Sequence, residues 1–345
     1  MRSMVAQGIE GGEDPGVFRE AIFNQADNLE TVGSDAGDAL REANLEPLRS
    51  GVLILTGMGA SWHALAPAVL ALRRAGRRAF AVAPPQLAHR RAGDLGDAFV
   101  VVSQSGASAE TVAILEQLQG HFVVAISAAG DSPLAEAADV WLPLGALPDT
   151  QVATLSYTAT LHVLGLLCDD LLPTGSGSDW GSLPELVLET LRQSDAQAEA
   201  VAARLREIRA LDAVGGGASV ASASETALLM REGVQIPAAG FETRQYLHGP
   251  LESAGPGLGC VVFGSGRELT LASSLHSYGA SVVPVSDRPS AATAFPSAFV
   301  ISAVGELAAP VLEILPIQLT AAYLAAARRV SIGTLRRVQS DTKVA

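Results

Sequence analysis

One arrangement of apolar runs, glycine turns and helical segments occurs twice along the chain. The apolar run 52–55 leads into Gly-Met-Gly-Ala-Ser at 57–61, and the run 211–214 leads into Gly-Gly-Gly-Ala-Ser at 215–219. Two later apolar runs end similarly, in Ser-Gln-Ser-Gly and in Gly-Ser-Gly. Apolar strands that alternate with helical segments are typical of a parallel sheet covered on both faces. The sequence therefore predicts an α/β fold with two tandem doubly wound parallel-sheet domains.

The length of 345 residues also favours two domains, because it exceeds what one hydrophobic core usually serves. Residues 173–181 are rich in Pro, Gly, Ser and Asp, which is typical of a linker. The predicted organisation is an N-terminal helical segment at 1–45, a first domain at 46–183, a linker helix and second domain at 184–330, and a tail at 331–345.

Composition and charge narrow the functional classes. The formal charge of −13 argues against nucleic acid or an anionic membrane as the main partner. Cys168 and Cys260, the two cysteines, fit neither a disulfide framework nor a metal cluster, and they suit a reducing compartment. The histidines show no metal-ligand spacing, so we expect neither a metal nor a cofactor.

Two segments bear on targeting. The first 16 residues are acidic and glycine-rich, unlike a signal peptide. The apolar stretch 152–172 is interrupted by Ser156, His162 and Asp169, so we expect a buried core helix and not a membrane span. These features predict a cytoplasmic protein.

Residues 103–108, Ser-Gln-Ser-Gly-Ala-Ser, lie between a predicted buried strand and a predicted helix at 109–119. Backbone N–H groups at a helix start and hydroxyl donors favour an anion without adding charge, and Gly106 allows close approach. On this pattern alone, an ordinary capped helix with Ser105 or Ser108 as N-cap is the commoner explanation. The matching loop 264–268 in the second half has an acid and fewer hydroxyls, so we expect the anion site in the first half.

Four segments carry a resemblance to a known family. They are Gly-Met-Gly-Ala-Ser-Trp-His-Ala at 57–64, Ser-Gln-Ser-Gly at 103–106, Gln-Val-Ala-Thr at 151–154, and Glu225 and Glu232 followed by His-Gly-Pro at 248–250. In this order they resemble the isomerase half of glucosamine-6-phosphate synthase and related deaminases, deglycases and ketose–aldose isomerases. The resemblance covers residues 18–345 and implies two tandem sugar-isomerase (SIS) domains, each a flavodoxin-like three-layer sandwich, with a phosphosugar as ligand.

The resemblance also implies roles for individual residues. Glu232 would be the base that moves a proton between C1 and C2 of the sugar. His248 would open the sugar ring and reach into the neighbouring subunit's site, which implies a homodimer. The implied substrate-binding residues, with the phosphate clamp named first, are Ser103, Gln104, Ser105, Ser108, Ser61, Val152, Thr154 and Arg337.

Glu232 also fits this role by its own chemistry. Residues 222–235 predict one helix, and Glu225 and Glu232 lie seven residues apart, on nearly one side of it. A carboxylate removes a proton next to a carbonyl best when loss of water raises its pKa towards neutrality. The same spacing would also fit two solvent-facing glutamates, one of them paired with Arg231.

The chain departs from the family at two lysine positions. Leu229 stands where the family has a lysine three residues before the base. Arg337 or, in another register, Gln339 stands where it has a lysine that forms a Schiff base, which arginine cannot do. Lys343 is the only lysine of the chain, and it would reach that position only if the tail shifted. We expect no glutamine-hydrolysing domain before Val17, and so no ammonia transfer from glutamine by this chain alone.

The sequence thus predicts an enzyme that opens a hexose phosphate ring through His248 and shuttles a proton through Glu232. The outcome would be aldose–ketose isomerisation or, if the sugar carries an amine at C2, deamination. Two alternatives stay open: a non-catalytic phosphosugar-binding or regulatory protein, and an isomerase subunit supplied with ammonia by a separate glutaminase.

Overall fold

The computed structural model describes residues 15–88, 95–145, 148–339 and 341–344. Within these ranges the strands form two parallel five-stranded sheets. The first sheet contains β1 (Val52–Gly57), β2 (Arg78–Ala81), β3 (Ala98–Val102), β4 (Phe122–Ser127) and β5 (Val140–Pro143). The second contains β6 (Ala210–Gly215), β7 (Ala238–Glu242), β8 (Leu258–Phe263), β9 (Ser281–Ser286) and β10 (Phe299–Val300).

Both sheets have the same strand order. The first runs β2-β1-β3-β4-β5 and the second runs β7-β6-β8-β9-β10, which is the order 2-1-3-4-5 counted from each sheet's own first strand. This is the flavodoxin-like doubly wound order, in which the chain reverses direction between the first and third strands. The predicted fold class, an α/β fold of two tandem parallel-sheet domains, is confirmed.

Helices cover both sheets. Their bounds are α1 Pro15–Phe23, α2 Gln25–Glu42, α3 Ala60–Arg74, α4 Pro84–Leu87, α5 Ala109–Ala113, α6 Pro133–Glu136, α7 Leu155–Leu171, α8 Leu183–Leu205, α9 Val220–Leu229, α10 Thr243–Tyr246, α11 Arg267–Ser277, α12 Ser290–Ala294 and α13 Ala309–Ala327. All five side chains of β3 are buried, as expected of a central strand covered on both faces.

One large hydrophobic core extends through both sheets and the helices between them. Its members include Val100 in β3, Leu164 in α7, Val261 in β8 and Leu315 in α13. Almost every side chain of α7 is buried, so the prediction of a core helix in the stretch 152–172 is confirmed. Among the described helices α13 is long and apolar enough to cross a membrane, but 78% of its most apolar window is buried inside the fold, as expected of a core helix.

Three predicted helices differ in extent. In the predicted N-terminal helical segment 1–45, of which residues 1–14 lie outside the described residues, α1 and α2 lie on either side of Asn24, and the predicted helix 109–119 is regular only to Ala113. Residues 114–120 continue as successive turns in which Ile114 and Leu118 are buried, so tertiary packing replaces regular helical hydrogen bonding there. The predicted helix 222–235 is α9 followed by a π-helical turn, Met230–Val234.

Candidate functional site

The candidate site lies where the first sheet reverses direction. β1 and β3 are neighbours, and Gly57 and Val102 at their carboxyl ends are paired. The chain leaves β1 towards β2 on one side and leaves β3 towards β4 on the other. This reversal opens a crevice at the carboxyl edge of the sheet, which is where open α/β sheets bind ligands. The first glycine turn and the loop 103–108 both start at this edge.

The loop 103–108 is a tightly bonded turn. The hydroxyl oxygens of Ser103 and Ser108 lie 3.1 Å apart, and Ser105 Oγ accepts a hydrogen bond from Ala107 N at 3.3 Å. Gly106 has a φ of +64°, and a Cβ at this position would lie 2.0 Å from Ser132 Oγ. Only glycine fits both the backbone conformation and this close approach.

A cavity of about 370 Å³ lies beside this loop. The structure brings three of the sequence-predicted residues, Ser61, Gln104 and Ser108, together on its wall. Ser103 is buried behind them, where its hydroxyl contacts that of Ser108. Since α5 has one regular turn, hydroxyls and loop N–H groups are the main donors here, and the helix contributes less than the sequence suggested.

The stretch 149–156 forms another wall of this cavity. Val152 and Thr154, the predicted sugar-pocket residues, are buried, whereas Ala153 and Ser156 of the same stretch line the cavity. The Asp149 carboxylate accepts hydrogen bonds from Thr154 N at 3.0 Å and Ser156 N at 2.8 Å, and also from the Thr154 hydroxyl. The Asp149 carboxylate thus accepts hydrogen bonds from otherwise free N–H groups at the start of α7, and these bonds fix its position.

Lys343 lies on the same cavity, a placement that the sequence reasoning did not foresee. Its ammonium group donates a hydrogen bond to Ser105 Oγ at 2.7 Å. The tail reaches the loop by antiparallel pairing, with Ala109 N donating to Thr342 O at 3.1 Å and Val344 N donating to Ala107 O at 3.0 Å.

Glu232 lies in the π-helical turn after α9, beside a second cavity of about 490 Å³. Burial raises its pKa to about 7, the neighbouring Glu225 adds to this increase, and His63 opposes it. Glu225 is buried in α9, and its Oε2 lies 2.9 Å from Nδ1 of His63, so burial raises its pKa while the imidazole opposes the increase. π-helical turns occur frequently at functional sites because they change the direction in which a side chain points.

Gln151 connects the two cavities. It lines the first cavity, its N donates to Gly333 O at 3.1 Å, and its Oε1 accepts from Leu335 N at 2.8 Å. Leu335 in turn lines the second cavity, together with Glu232 and Arg337. The cavity beside the loop 103–108 and the cavity beside Glu232 are therefore linked within one chain.

His248 does not join these groups within the chain. It follows α10 in an exposed turn and lines neither of the two cavities. The adjacent Gly249 has a φ of +138°, which favours glycine at this turn. Gln339 is also exposed.

The equivalent edge of the second sheet holds a carboxylate of the chain itself. The side chain of Glu268 lies against Gly216 and Gly264, which follow β6 and β8, and its Oε1 accepts a hydrogen bond from Thr243 Oγ1 at 2.9 Å. A carboxylate at this edge disfavours an anion there. Within the described ranges, no group of three or more His, Cys, Asp or Glu side chains is placed to hold a metal ion.

Sequence comparison identifies relatives of this chain. Glutamine–fructose-6-phosphate aminotransferase (isomerizing) of Thermococcus kodakarensis is 27% identical over 337 residues, which is 92% of this chain and 54% of the relative. The chain therefore spans about half the length of the curated relatives it matches.

Solved structures with the same fold include two enzymes of sugar phosphates. Glucosamine-6-phosphate deaminase of Thermotoga maritima superimposes with a TM-score of 0.77 at 19% identity, covering 95% of this chain and 100% of that structure. Tagatose-6-phosphate ketose/aldose isomerase of Escherichia coli gives a TM-score of 0.77 at 18% identity, covering 96% and 97%.

A family model, that of the SIS domain, matches residues 49–168. These residues contain the whole first sheet, the loop 103–108 and the start of α7, which are the elements that build the first cavity. The resemblance seen in the sequence motifs is thereby confirmed. Residues 49–168 of this chain therefore match the SIS domain family.

Proposed function

We propose that this chain is a phosphosugar isomerase or amino-sugar-phosphate deaminase. The phosphate of a hexose phosphate binds at the loop 103–108, His248 opens the sugar ring, and Glu232 moves a proton between C1 and C2. The active form is a cytoplasmic homodimer in which His248 serves the neighbouring subunit, and neither nucleic acid nor membrane is a partner. The main support is the placement of a hydroxyl-lined cavity at the sheet reversal, close to the buried Glu225 and the half-buried Glu232.

The names of the related proteins support the substrate class. The relatives and fold neighbours are named for fructose 6-phosphate, glucosamine 6-phosphate and tagatose 6-phosphate. Each of these is a six-carbon sugar phosphorylated at C6. A hexose 6-phosphate or amino-hexose 6-phosphate is therefore the class to test.

The chemistry follows from the two cavities. Ser61, Gln104 and Ser108 offer neutral donors to a phosphate, which suits a chain with a formal charge of −13. Glu232, with a pKa of about 7, is partly ionised at neutral pH and can both accept and return a proton. Proton transfer between C1 and C2 through an enediol requires this reversible behaviour from a single group.

The residues at the family's lysine positions favour isomerisation or deamination over ammonia transfer. Leu229 is buried and has no amine, and Arg337 lies beside Glu232 with a guanidinium that cannot form an imine. Proton transfer by Glu232 does not require a lysine at either of these positions. A subunit that receives ammonia from a separate glutaminase is thus less well supported.

A non-catalytic phosphosugar-binding protein is the second candidate. It is favoured by the exposed position of His248, which lines neither cavity of its own chain. If no partner subunit brings this imidazole to the sugar, ring opening has no acid–base group and the chain would bind without turnover.

Incubation with hexose and amino-hexose 6-phosphates in D₂O separates these candidates. We expect deuterium to enter at C1 or C2, detected by NMR, with ammonia release if the sugar carries an amine. The matched variant Glu232→Gln is expected to bind the sugar but to lose the exchange, because an amide cannot accept the proton. Binding without exchange by the unmodified protein would favour the binding protein, and absence of binding to the whole panel would refute the phosphosugar function.

A further inference from the structure

The C-terminal tail places the chain's single lysine on the cavity of the phosphate loop. Among the described residues that line this cavity, Lys343 is the one with a cationic side chain. The other charged lining residue, Asp149, is held by hydrogen bonds at the start of α7. The local electrostatics of the cavity therefore depend on a residue that is distant in sequence from the loop.

The position of Lys343 is fixed by backbone pairing. Hydrogen bonds on either side of it, Ala109 N to Thr342 O at 3.1 Å and Val344 N to Ala107 O at 3.0 Å, attach the tail to the loop as an isolated antiparallel bridge between Ser108 and Lys343. This pairing directs the side chain of Lys343 to Ser105, whose Oγ accepts from Nζ at 2.7 Å. Backbone pairing of this kind reduces the conformational freedom that a terminal lysine would otherwise lose on binding a ligand.

The ammonium group of Lys343 can donate further hydrogen bonds in addition to the one to Ser105. An ammonium has three N–H donors, and Ser105 takes one of them. The Ser105 hydroxyl accepts from both Lys343 and Ala107 N, so its own proton is still free to be donated. A phosphate oxygen beside Ser105 and Ser108 would therefore meet a charged donor as well as neutral ones.

We propose that Lys343 is a phosphate ligand and that the paired tail is the element that delivers it. The proposal rests on the proposed phosphosugar function and adds to it the cation that balances the phosphate. A protein with a formal charge of −13 opposes the approach of a dianion, and one cation in direct contact offsets this opposition where the ligand binds. It also gives Lys343 a role at the phosphate end of the sugar, away from the carbonyl carbons.

The test is calorimetric binding of a phosphosugar to which the unmodified protein binds, with inorganic phosphate as a second probe. Lys343→Met removes the charge but keeps the side chain's length, and we expect binding of both probes to weaken roughly 10- to 100-fold, as for loss of a charge-assisted hydrogen bond. Lys343→Arg keeps the cation and is expected to stay within a few-fold of the unmodified protein. Arg192→Ala, an exposed change on α8 with the same effect on net charge, is the control and should not alter binding.

A second variant tests delivery by the tail. Val344→Pro keeps the lysine but removes the N–H that bonds to Ala107 O, so it should weaken binding as Lys343→Met does. Unchanged affinity in Lys343→Met would overturn the ligand role, and unchanged affinity in Val344→Pro would overturn delivery by the paired tail.

The outcomes also distinguish this inference from the function on which it rests. If the unmodified protein binds a phosphosugar, Ser105→Ala with Ser108→Ala abolishes binding, and Lys343→Met does not, the function stands and the role of Lys343 fails. If the unmodified protein binds neither a phosphosugar nor inorganic phosphate, both fail.

Discussion

Nδ1 of His63 lies 2.9 Å from Oε2 of Glu225, and this contact joins α3, which follows the first glycine turn, to α9. Glu225 is buried. Its carboxyl group adds to the increase that burial causes in the pKa of Glu232. His63 acts in the opposite direction on both carboxyl groups. The imidazole therefore limits the increase in the pKa of Glu232, the proposed base. No lysine can do so from position 229, where this chain has leucine and the family has a lysine.

The first prediction concerns the pH dependence of proton exchange. Glu232 must be ionised to accept a proton, so the exchange rate should rise with pH with a midpoint near 7, the value to which burial raises its pKa. His63→Asn should move this midpoint upward, because the group that lowers the pKa of Glu232 is removed. Exchange rates measured between pH 5 and 9 check this, with His276→Asn, at an exposed position of α11, as the control. A midpoint near 4.5, or one that His63→Asn leaves in place, would contradict it.

The second prediction concerns stability. The pKa of Glu232 is about 7 in the folded chain against 4.5 for an ordinary glutamate, so the folded state favours the protonated form. This stabilising contribution is complete below about pH 4.5 and is lost as the pH rises through 7. Glu232→Gln should therefore change the free energy of unfolding little at pH 5 and increase it by roughly 1–3 kcal/mol at pH 8.

Thermal unfolding at the two pH values measures this difference. Glu199→Gln, at an exposed position of α8, is the matched control and should show no such pH dependence. An equal effect of Glu232→Gln at pH 5 and pH 8 would mean that the carboxyl group titrates normally in the folded chain.

The third prediction concerns the phosphate loop. Ser105→Ala combined with Ser108→Ala removes two hydroxyls, each worth roughly 1.5–3 kcal/mol when bonded to a charged group, so phosphosugar binding should weaken at least tenfold. The same change at Ser265, in the equivalent loop of the second sheet, should have no effect, because Glu268 occupies that edge. Unchanged affinity in the double variant, measured by calorimetry on folded protein, would move the phosphate site elsewhere.

The fold was predictable because its signals are local. The run 98–102 is apolar throughout, and β3 occupies those residues with every side chain buried. The family resemblance grouped Ser61, Gln104 and Ser108 as ligand-binding residues, and they line one cavity because residues that follow neighbouring parallel strands share one sheet edge. In contrast, β7 was not predicted, because its Ala-Ala-Gly-Phe-Glu sequence has little β-branched character.

The rest of the site depends on long-range contacts that spacing does not encode. His63 and Glu225 are 162 residues apart, and Lys343 and Ser105 are 238 apart. His63 has no metal-ligand spacing, although its position two residues after Ser61 is a usable signal. For Lys343 the signal was its uniqueness among 23 basic residues, in a short segment that ends the chain as given.

The fourth prediction concerns the dimer. If His248 serves the neighbouring subunit, a His248→Ala chain mixed with a Glu232→Gln chain should recover part of the activity, because each mixed dimer contains one intact site. The exposed position of His248 in its own chain is the reason to expect this. Subunit exchange is verified by native mass spectrometry before activity is measured. Two inactive variants that stay inactive after exchange would place both residues in the site of one subunit.

The last prediction concerns covalent chemistry at Lys343. A Schiff-base enzyme is trapped on its ketose by borohydride, which reduces the imine and leaves an adduct on the lysine. The ammonium of Lys343 is hydrogen-bonded to Ser105 in the loop 103–108, so if this loop binds the phosphate as proposed, Lys343 faces the phosphate end of a hexose and not the carbonyl end. We therefore expect no adduct at Lys343 or at the α-amine of Met1 after borohydride treatment with a ketose phosphate, as judged by peptide mass spectrometry.

Deuterium exchange at C1 or C2 should persist under the same conditions without borohydride, because Glu232 alone moves the proton. A stable adduct at Lys343 would show that the tail carries the imine lysine, and an ammonia-transfer reaction would then replace isomerisation or deamination as the proposed activity.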